Sequence, residues 1–259
     1  MKEIVKQVCG IDVSQKELVV SLGRMYTDLS LEVHAHRSVI NQTKGFELLL
    51  NRVTRQTSTT VEVRYVMEAT GVYHEKIAYY LHENNQAAVS IVLPNKISNY
   101  FRTLDIKTLT DKTASAAIAQ FGLERNLDEW NPPCALYKQL RQQERERDQL
   151  VQSRTVIKNQ LHAEQSEVQP NQGTVGRLKK RINLLNGQIK EIKAEIEALV
   201  ETDGKQKQDV AILTSMPGIG LLTAVSVLSE TNGFELIRNG RQLSSYAGLD
   251  VRENNREHR

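Results

Sequence analysis

VEVRYVMEATGVY, residues 61–73, is a predicted strand that ends on a carboxylate. From Val61 to Met67 the β-branched and aromatic residues alternate with charge, and Gly71 marks the break after them. Glu68 closes the run, where an ionised group among apolar neighbours requires a cation or a hydrogen-bond donor.

Upstream of this stretch, Val5 to Val13, Glu17 to Met25 and Leu31 to Ile40 read as consecutive strands, joined by short turns at Ser14-Gln15 and Thr27-Asp28. Thr43 is expected to cap a helix whose apolar face is Phe46, Leu49, Leu50 and Val53. Downstream follow a helix from about Tyr73 to Glu83 and a strand from Ala87 to Leu93, stopped by Pro94. Leading strands followed by alternating helix and strand predict an α/β mixed sheet, compatible with an RNase H-like core over residues 1–130.

From Asn95 the pattern turns helical, through Asp111 to Leu123, until Pro132-Pro133 interrupts it. Long polar segments over 135–168 and 174–202 flank the turn-forming Gln169-Pro170-Asn171-Gln172-Gly173. The second carries Val175, Leu178, Ile182, Leu185, Ile189, Ile192, Ile196 and Leu199, the 3-4 spacing of a coiled-coil seam. Residues 131–205 are therefore expected to form a long helical hairpin, with self-association through the seam equally allowed. Residues 206–259 read as a small α-helical carboxy-terminal domain. Its tail, Gly248 to Arg259, is polar and looks cut short.

Composition narrows the function classes only a little. With 34 basic and 31 acidic residues the chain carries +3, so any nucleic-acid-binding face must be local. Cys9 and Cys134 match no metal-ligand spacing, no apolar run reaches membrane-spanning length, and the start lacks a signal-peptide apolar region. These features predict a cytoplasmic protein with no membrane association.

Asp12 ends the first strand as Glu68 ends a later one, so neighbouring strands would bring their carboxylates together. Converging oxygen ligands suit Mg²⁺, and a pair of such ions can clamp the attacking and leaving oxygens of a phosphodiester. The plainer assignment has Asp12 capping the turn at Ser14 and Glu68 pairing with a base such as Lys76. Pro217-Gly218-Ile219-Gly220 reads either as an ordinary inter-helix turn or as the turn of a helix-hairpin-helix, where Gly218 and Gly220 would let backbone N–H groups approach a phosphate. Lys179, Lys180 and Arg181 form the best basic cluster for a phosphate contact, and the interleaved charges elsewhere on the long helices read as a solvated face.

Gly-Ile-Asp-Val-Ser at 10–14, Met-Glu-Ala-Thr-Gly-Val-Tyr at 67–73 and Thr-Asp-Lys at 110–112 ahead of Ile118-Ala119-Gln120-Phe121-Gly122 occur in a distinctive order. In this the chain resembles the DEDD transposases of the insertion-sequence one-ten family, the bridge-RNA-guided recombinases. The resemblance implies transposition, an RNase H-like core, Mg²⁺ or Mn²⁺ as cofactor, and DNA and a structured guide RNA as partners. It makes Asp12, Glu68 and Asp111 metal ligands. The family's further Asp falls on Ala114, and Asp105, Ser115 or an impaired site are the alternatives for its loss. The family's Gln-Ser-Gly nucleophile is also expected to be absent, because Asn254 leads into Asn255, Arg256 and Glu257. Ser244 and Ser245 lie where the family has packing residues. An incomplete set of catalytic groups leaves a second expectation open, a decayed or repurposed transposase that only binds nucleic acid.

Overall fold

The computed structural model describes residues 2–249, apart from residues 70, 86, 105–107, 109, 236 and 238. The chain divides into two compact units, Met1–Pro132 and Pro133–Arg259.

The first unit opens with an antiparallel meander of β1 (Ile4–Val13), β2 (Glu17–Tyr26) and β3 (Leu31–Ile40). After α1 (Thr43–Gln56) the chain returns as β4 (Val63–Glu68), parallel to β1, and after α2 (Glu75–Asn85) as β5 (Val89–Val92), parallel to β4. The resulting sheet has the order β3-β2-β1-β4-β5, so the strand that opens the chain lies at its centre. Two further helices follow, α3 (Pro94–Phe101) and α4 (Asp111–Glu124).

Alternation along β1 supplies both faces of this layer. Cys9, Ile11 and Val13 join Leu18, Val20 and Leu22 of β2 against Phe46, Leu49 and Val53 of α1 and Ile77 and Leu81 of α2. Val8 on the opposite face joins Val66 and Val92 against Ile97, Tyr100, Ile118, Ala119, Phe121 and Leu123 of α3 and α4. A strand covered on both sides needs apolar side chains on both faces, as Val8, Cys9 and Ile11 of β1 and Tyr65, Val66 and Met67 of β4 supply.

Local chemistry moves two of the predicted boundaries. Thr43 is the first helical residue of α1 and not its cap; the N-cap is Gln42, whose side chain makes no capping bond. Val61 and Glu62 fall outside β4 because the buried Gln7 side chain holds residues 58–61: its Nε2 donates to the carbonyls of Ser58 (3.0 Å) and Val61 (2.7 Å), and its Oε1 accepts from Ser58 N–H (2.8 Å).

The second unit is helical: α5 (Ala135–Gln165), α6 (Gln172–Glu201), α7 (Gly204–Thr214), α8 (Leu221–Thr231) and α9 (Gly240–Tyr246). Gln143 bonds Glu195 and Arg154 bonds Asn186, so α6 descends as α5 rises and the two run antiparallel. Asn171 caps α6 by accepting from Thr174 N–H at 3.1 Å. Along α6, Val175, Leu178, Ile192 and Ile196 are buried, while Ile182, Leu185, Ile189 and Leu199 are half-buried. Ile192, Ile196 and Val200 share one core with Tyr137 and Leu140 of α5, Val210 of α7 and Ala224, Val225 and Leu228 of α8. Arg141 donates to the Ser229 carbonyl (3.0 Å from Nε), meeting an otherwise open acceptor in the last turn of α8. Among the described residues no helix is long and apolar enough to cross a membrane.

Candidate active site

Asp12 lies on the same face of β1 as Gly10, and Gly10 decides what lies above it. A Cβ built on Gly10 would stand 2.3 Å from the backbone N of Ala119 and 2.5 Å from the carbonyl O of Ser115, so α4 rests directly on the bare strand. Asp111 sits one helical turn before Ser115, and this close seating brings it over the end of β1. Thr110 starts the helix through a reciprocal capping box with Thr113: Thr113 N–H donates to Thr110 Oγ1 (3.2 Å) and Thr110 N–H to Thr113 Oγ1 (2.8 Å). The carboxylate of Asp111 in the first turn is favourably placed against the helix dipole.

Glu68 arrives through strand register. Ile11 pairs with Met67 in the parallel β1–β4 ladder, and Asp12 and Glu68 are the next residues of those strands. The pKa of Asp12 is pushed up to about 6, first by burial, then by the charge of Asp111 and then by that of Glu68, against a backbone hydrogen bond at Val13 that lowers it. Asp12 therefore senses Asp111 and Glu68 at the carboxyl-terminal ends of β1 and β4. Asp12 does not cap the Ser14 turn; Ser14 Oγ and N–H both bond the Glu17 carbonyl instead.

The remaining expectations divide. Ala114 is half-buried and lies three residues beyond Asp111, on the same helical face. Ser115 is fully buried and its hydroxyl is engaged, 2.7 Å from Ser21 Oγ and 3.1 Å from the Lys112 carbonyl, so it turns into the sheet and not toward the carboxylates. Asp105 lies outside the described residues, as does the polar tail over 250–259. Gly218 has φ +89° and Gly220 is the N-cap of α8; the space around both glycines is open, and the Pro217–Gly220 turn is largely exposed. Lys179, Lys180 and Arg181 are exposed on α6. Ser244 and Ser245 are exposed on α9, contrary to the packing role expected for that position.

Sequence reading passed over two features of the site. Gly10 had a legible signal, since glycine inside a strand pattern marks a close backbone approach. The buried chain from His36 Nδ1 to Ser21 Oγ (2.6 Å) and on to Ser115 had none, because its members are far apart in sequence. Burial, and then the charges of Lys112 and His34, lower the His36 pKa.

As a cation site, the donors are hard oxygens, and the burial of Asp12 followed by the repulsion of Asp111 and Glu68 raises its pKa, a cost a divalent ion relieves. Among the described residues, however, no three His, Cys, Asp or Glu side chains are gathered closely enough to enclose an ion. The fit is thus to an ion held by one or two carboxylates, with the rest of its shell supplied by water or substrate oxygens.

A family model described as a transposase, the IS110-type DEDD transposase, matches residues 9–170, and a second, described as transposase of the IS116/IS110/IS902 family, matches residues 210–255. The pilin gene-inverting protein of Moraxella bovis is 27% identical over 216 residues, which are 82% of this chain and 64% of that protein. Its Moraxella lacunata counterpart matches at the same identity and coverage. The chain thus spans about 64% of the length of these relatives. Among solved structures, Thermus thermophilus RuvC in complex with a Holliday junction substrate aligns at 12% identity and a TM-score of 0.34, over 48% of this chain and 99% of RuvC. An Aquifex aeolicus member of the Ppx/GppA family aligns at 14% identity and a TM-score of 0.26, over 37% of each chain.

Proposed function

Because the chain belongs to the IS110-type DEDD transposase family, we propose that it acts in DNA recombination as the transposase of a mobile insertion element. The observation that carries this reading is the position of Asp12 at the end of central strand β1, where burial and then the charges of Asp111 and Glu68 together raise its pKa to about 6. An RNase H-like core is supported by the order β3-β2-β1-β4-β5, in which an antiparallel meander leads into parallel strands. The relatives' name, pilin gene-inverting protein, supports a site-specific reaction.

Mg²⁺ or Mn²⁺ is proposed to bind to one or two of Asp12, Glu68 and Asp111, with the rest of its shell supplied by water or substrate oxygens. Such an ion, when bound, neutralises charge on a phosphodiester and makes a water or hydroxyl a better nucleophile. Glu68 and Asp111 approach Asp12 from a neighbouring strand and from the helix above it, so they orient the site from both sides. Without a cation, Asp12 is the carboxyl that holds a proton as neutrality is approached from below.

DNA and a structured guide RNA are the proposed partners. The exposed Pro217–Gly220 turn ahead of α8 and the exposed Lys179, Lys180 and Arg181 support phosphate contact. Self-association through the helical hairpin of 131–205 is supported by exposed Val156 on α5 and Leu184 on α6. A functional division into 1–130, 131–205 and 206–259 is part of the same proposal.

Ala114 favours a second reading, a nucleic-acid-binding protein without strand chemistry, because it removes a carboxylate from the face that carries Asp111. Incubation with supercoiled plasmid, guide RNA and Mg²⁺ or Mn²⁺ separates the two. Strand cleavage that is lost in Asp12→Ala supports the transposase; retained RNA binding with no cleavage under either metal selects the binding protein.

A further inference from the structure

Two strands and a helix share a polar chain on the α4 face of the sheet. Ser21 of β2 pairs with Gly10, the bare residue on which α4 rests. Its hydroxyl lies 2.6 Å from His36 Nδ1 of β3 and 2.7 Å from Ser115 Oγ of α4, and Ser115 Oγ lies 3.1 Å from the Lys112 carbonyl. A bulge aims His36 there. Arg37 pairs with Val20 and His34 with Leu22, so two residues of β3, 35 and 36, stand opposite Ser21 alone. An extra residue of this kind bends the strand and redirects a side chain. A hydroxyl beside an imidazole has the form of an activated nucleophile, but Ser21 and Ser115 are both fully buried, out of reach of any substrate.

The number of hydrogens sets the direction of the chain. It has three links, and among the described residues the two hydroxyls make no others. Each hydroxyl carries one hydrogen, and the Lys112 carbonyl only accepts. Two hydrogens cannot make three bonds, so the third comes from the imidazole. Nδ1–H of His36 donates to Ser21 Oγ, Ser21 O–H to Ser115 Oγ, and Ser115 O–H to the Lys112 carbonyl. Bonds aligned head to tail in this way polarise one another. Burial, and then the charges of Lys112 and His34, hold the His36 pKa below its ordinary value. The ring is therefore uncharged near neutral pH, and a hydrogen on Nδ1 is a matter of tautomer, fixed by the bond that nitrogen makes.

We propose that His36 is a positioning residue for the carboxylate site: its Nδ1–H, relayed through Ser21 and Ser115, holds the first turn of α4, and with it Asp111, over the end of β1. Lys112, whose carbonyl closes the chain, directly follows Asp111. Asp111 is the first residue of the helix, so its placement depends on what fastens that turn. The Thr110–Thr113 capping box fastens it at the exposed end, and the chain from His36 fastens it from beneath. The bearing of His36 on metal binding rests on the function proposed above, whereas the hydrogen-bond direction stands apart from it.

The test uses the full chain labelled with ¹⁵N-histidine. In a long-range ¹H–¹⁵N correlation spectrum at neutral pH, His36 should show a pyrrole-type Nδ1 and a pyridine-type Nε2, its signals identified by their loss in His36→Asn. A pyridine-type Nδ1 overturns the proposal. Hydrogen exchange reads the consequence for α4. His36→Leu should speed exchange of the Thr113, Ala114 and Ser115 amides about tenfold, for one hydrogen bond lost, and leave those of β1 unchanged. The amide nitrogen of asparagine stands as many bonds from Cα as Nδ1 does, so His36→Asn should stay within about twofold of the parent. In His36→Gln that nitrogen stands one bond further out, and this protein should behave as His36→Leu. The rise in melting temperature that Mn²⁺ produces should shrink in His36→Leu and return in His36→Asn. Unchanged exchange in His36→Leu, or equal acceleration in His36→Leu and His36→Asn, overturns the proposal. A parent protein with no response to Mn²⁺ refutes metal binding at the carboxylates, while the tautomer and the exchange rates still decide the role of His36.

Discussion

Replacing Gly10 by alanine tests the contact on which the site depends. The added Cβ would lie 2.3 Å from Ala119 N, 2.5 Å from the Ser115 carbonyl O and 2.7 Å from Ala119 Cα, all of them backbone atoms with no rotamer to yield. Ordinary contact begins near 3.4 Å, so α4 must rise by about 1 Å. A radial gap of that size forfeits roughly a quarter to a half of each dispersion contact beneath the helix, and Ile118, Ala119 and Leu123 are all buried there. Overpacking of this kind costs about 3 kcal/mol, the upper end of the usual range, because nothing at the contact is flexible. Gly122→Ala is the internal control. Its Cβ meets side-chain tips, Val66 Cγ2 and Val8 Cγ1, both at 2.8 Å. The helix preference for alanine over glycine, about 1 kcal/mol, opposes that crowding, so the net change should stay within roughly 1 kcal/mol. Trp130, the single tryptophan, packs edge-on to Tyr79 at 5.3 Å within the first unit and reports its unfolding in urea by fluorescence. If Gly10→Ala costs no more than Gly122→Ala with an unchanged urea slope, α4 does not rest on the strand, and the placement of Asp111 over Asp12 is wrong.

Other consequences are open to measurement. The folded-state pKa of Asp12 is raised from 3.8 to about 6, so the native state binds the extra proton, and stability falls as pH rises through that window. About two pKa units correspond to about 3 kcal/mol, discounted to about 1–2 kcal/mol because the carboxyl is only half-buried; Asp12→Asn in EDTA should recover that amount at pH 7.5 and little at pH 4, by thermal melting. Ala114→Asp restores a carboxylate on the face of Asp111, and should enlarge the melting-temperature rise that Mn²⁺ produces; an identical rise in both proteins would count against a metal site there. Ser115→Ala leaves the buried Ser21 hydroxyl with one partner fewer, and should cost about 1–2 kcal/mol in urea unfolding. Gly218→Ala, at φ +89° with open space around it, should cost about 1 kcal/mol through backbone strain, while Gly220→Ala, unstrained at φ −89° but in the N-cap position where alanine is disfavoured, should cost about half of that.

Much of this molecule can be read directly from residue order. The meander, the mixed α/β pattern and the apolar stripe of α6 follow from local periodicity, because which face is buried repeats at 2.0 or 3.6 residues. The strand-end positions of Asp12 and Glu68 follow as well, since each carboxylate closes an apolar run. Their meeting does not. It required β4 to pair in parallel with β1 at the register of Ile11 with Met67, a contact between residues more than fifty positions apart. Seating Asp111 above them required a bare glycine under a helix that begins a hundred residues later. The His36–Ser21–Ser115 chain is likewise assembled from separate elements, and the bulge between Val20 and Leu22 resets which β3 residues face which side. Periodicity is a property of neighbours along the chain and survives in the sequence. Register, close approach and charge clustering are properties of neighbours in space, and they exist only once the sheet has paired and the helices have packed on it.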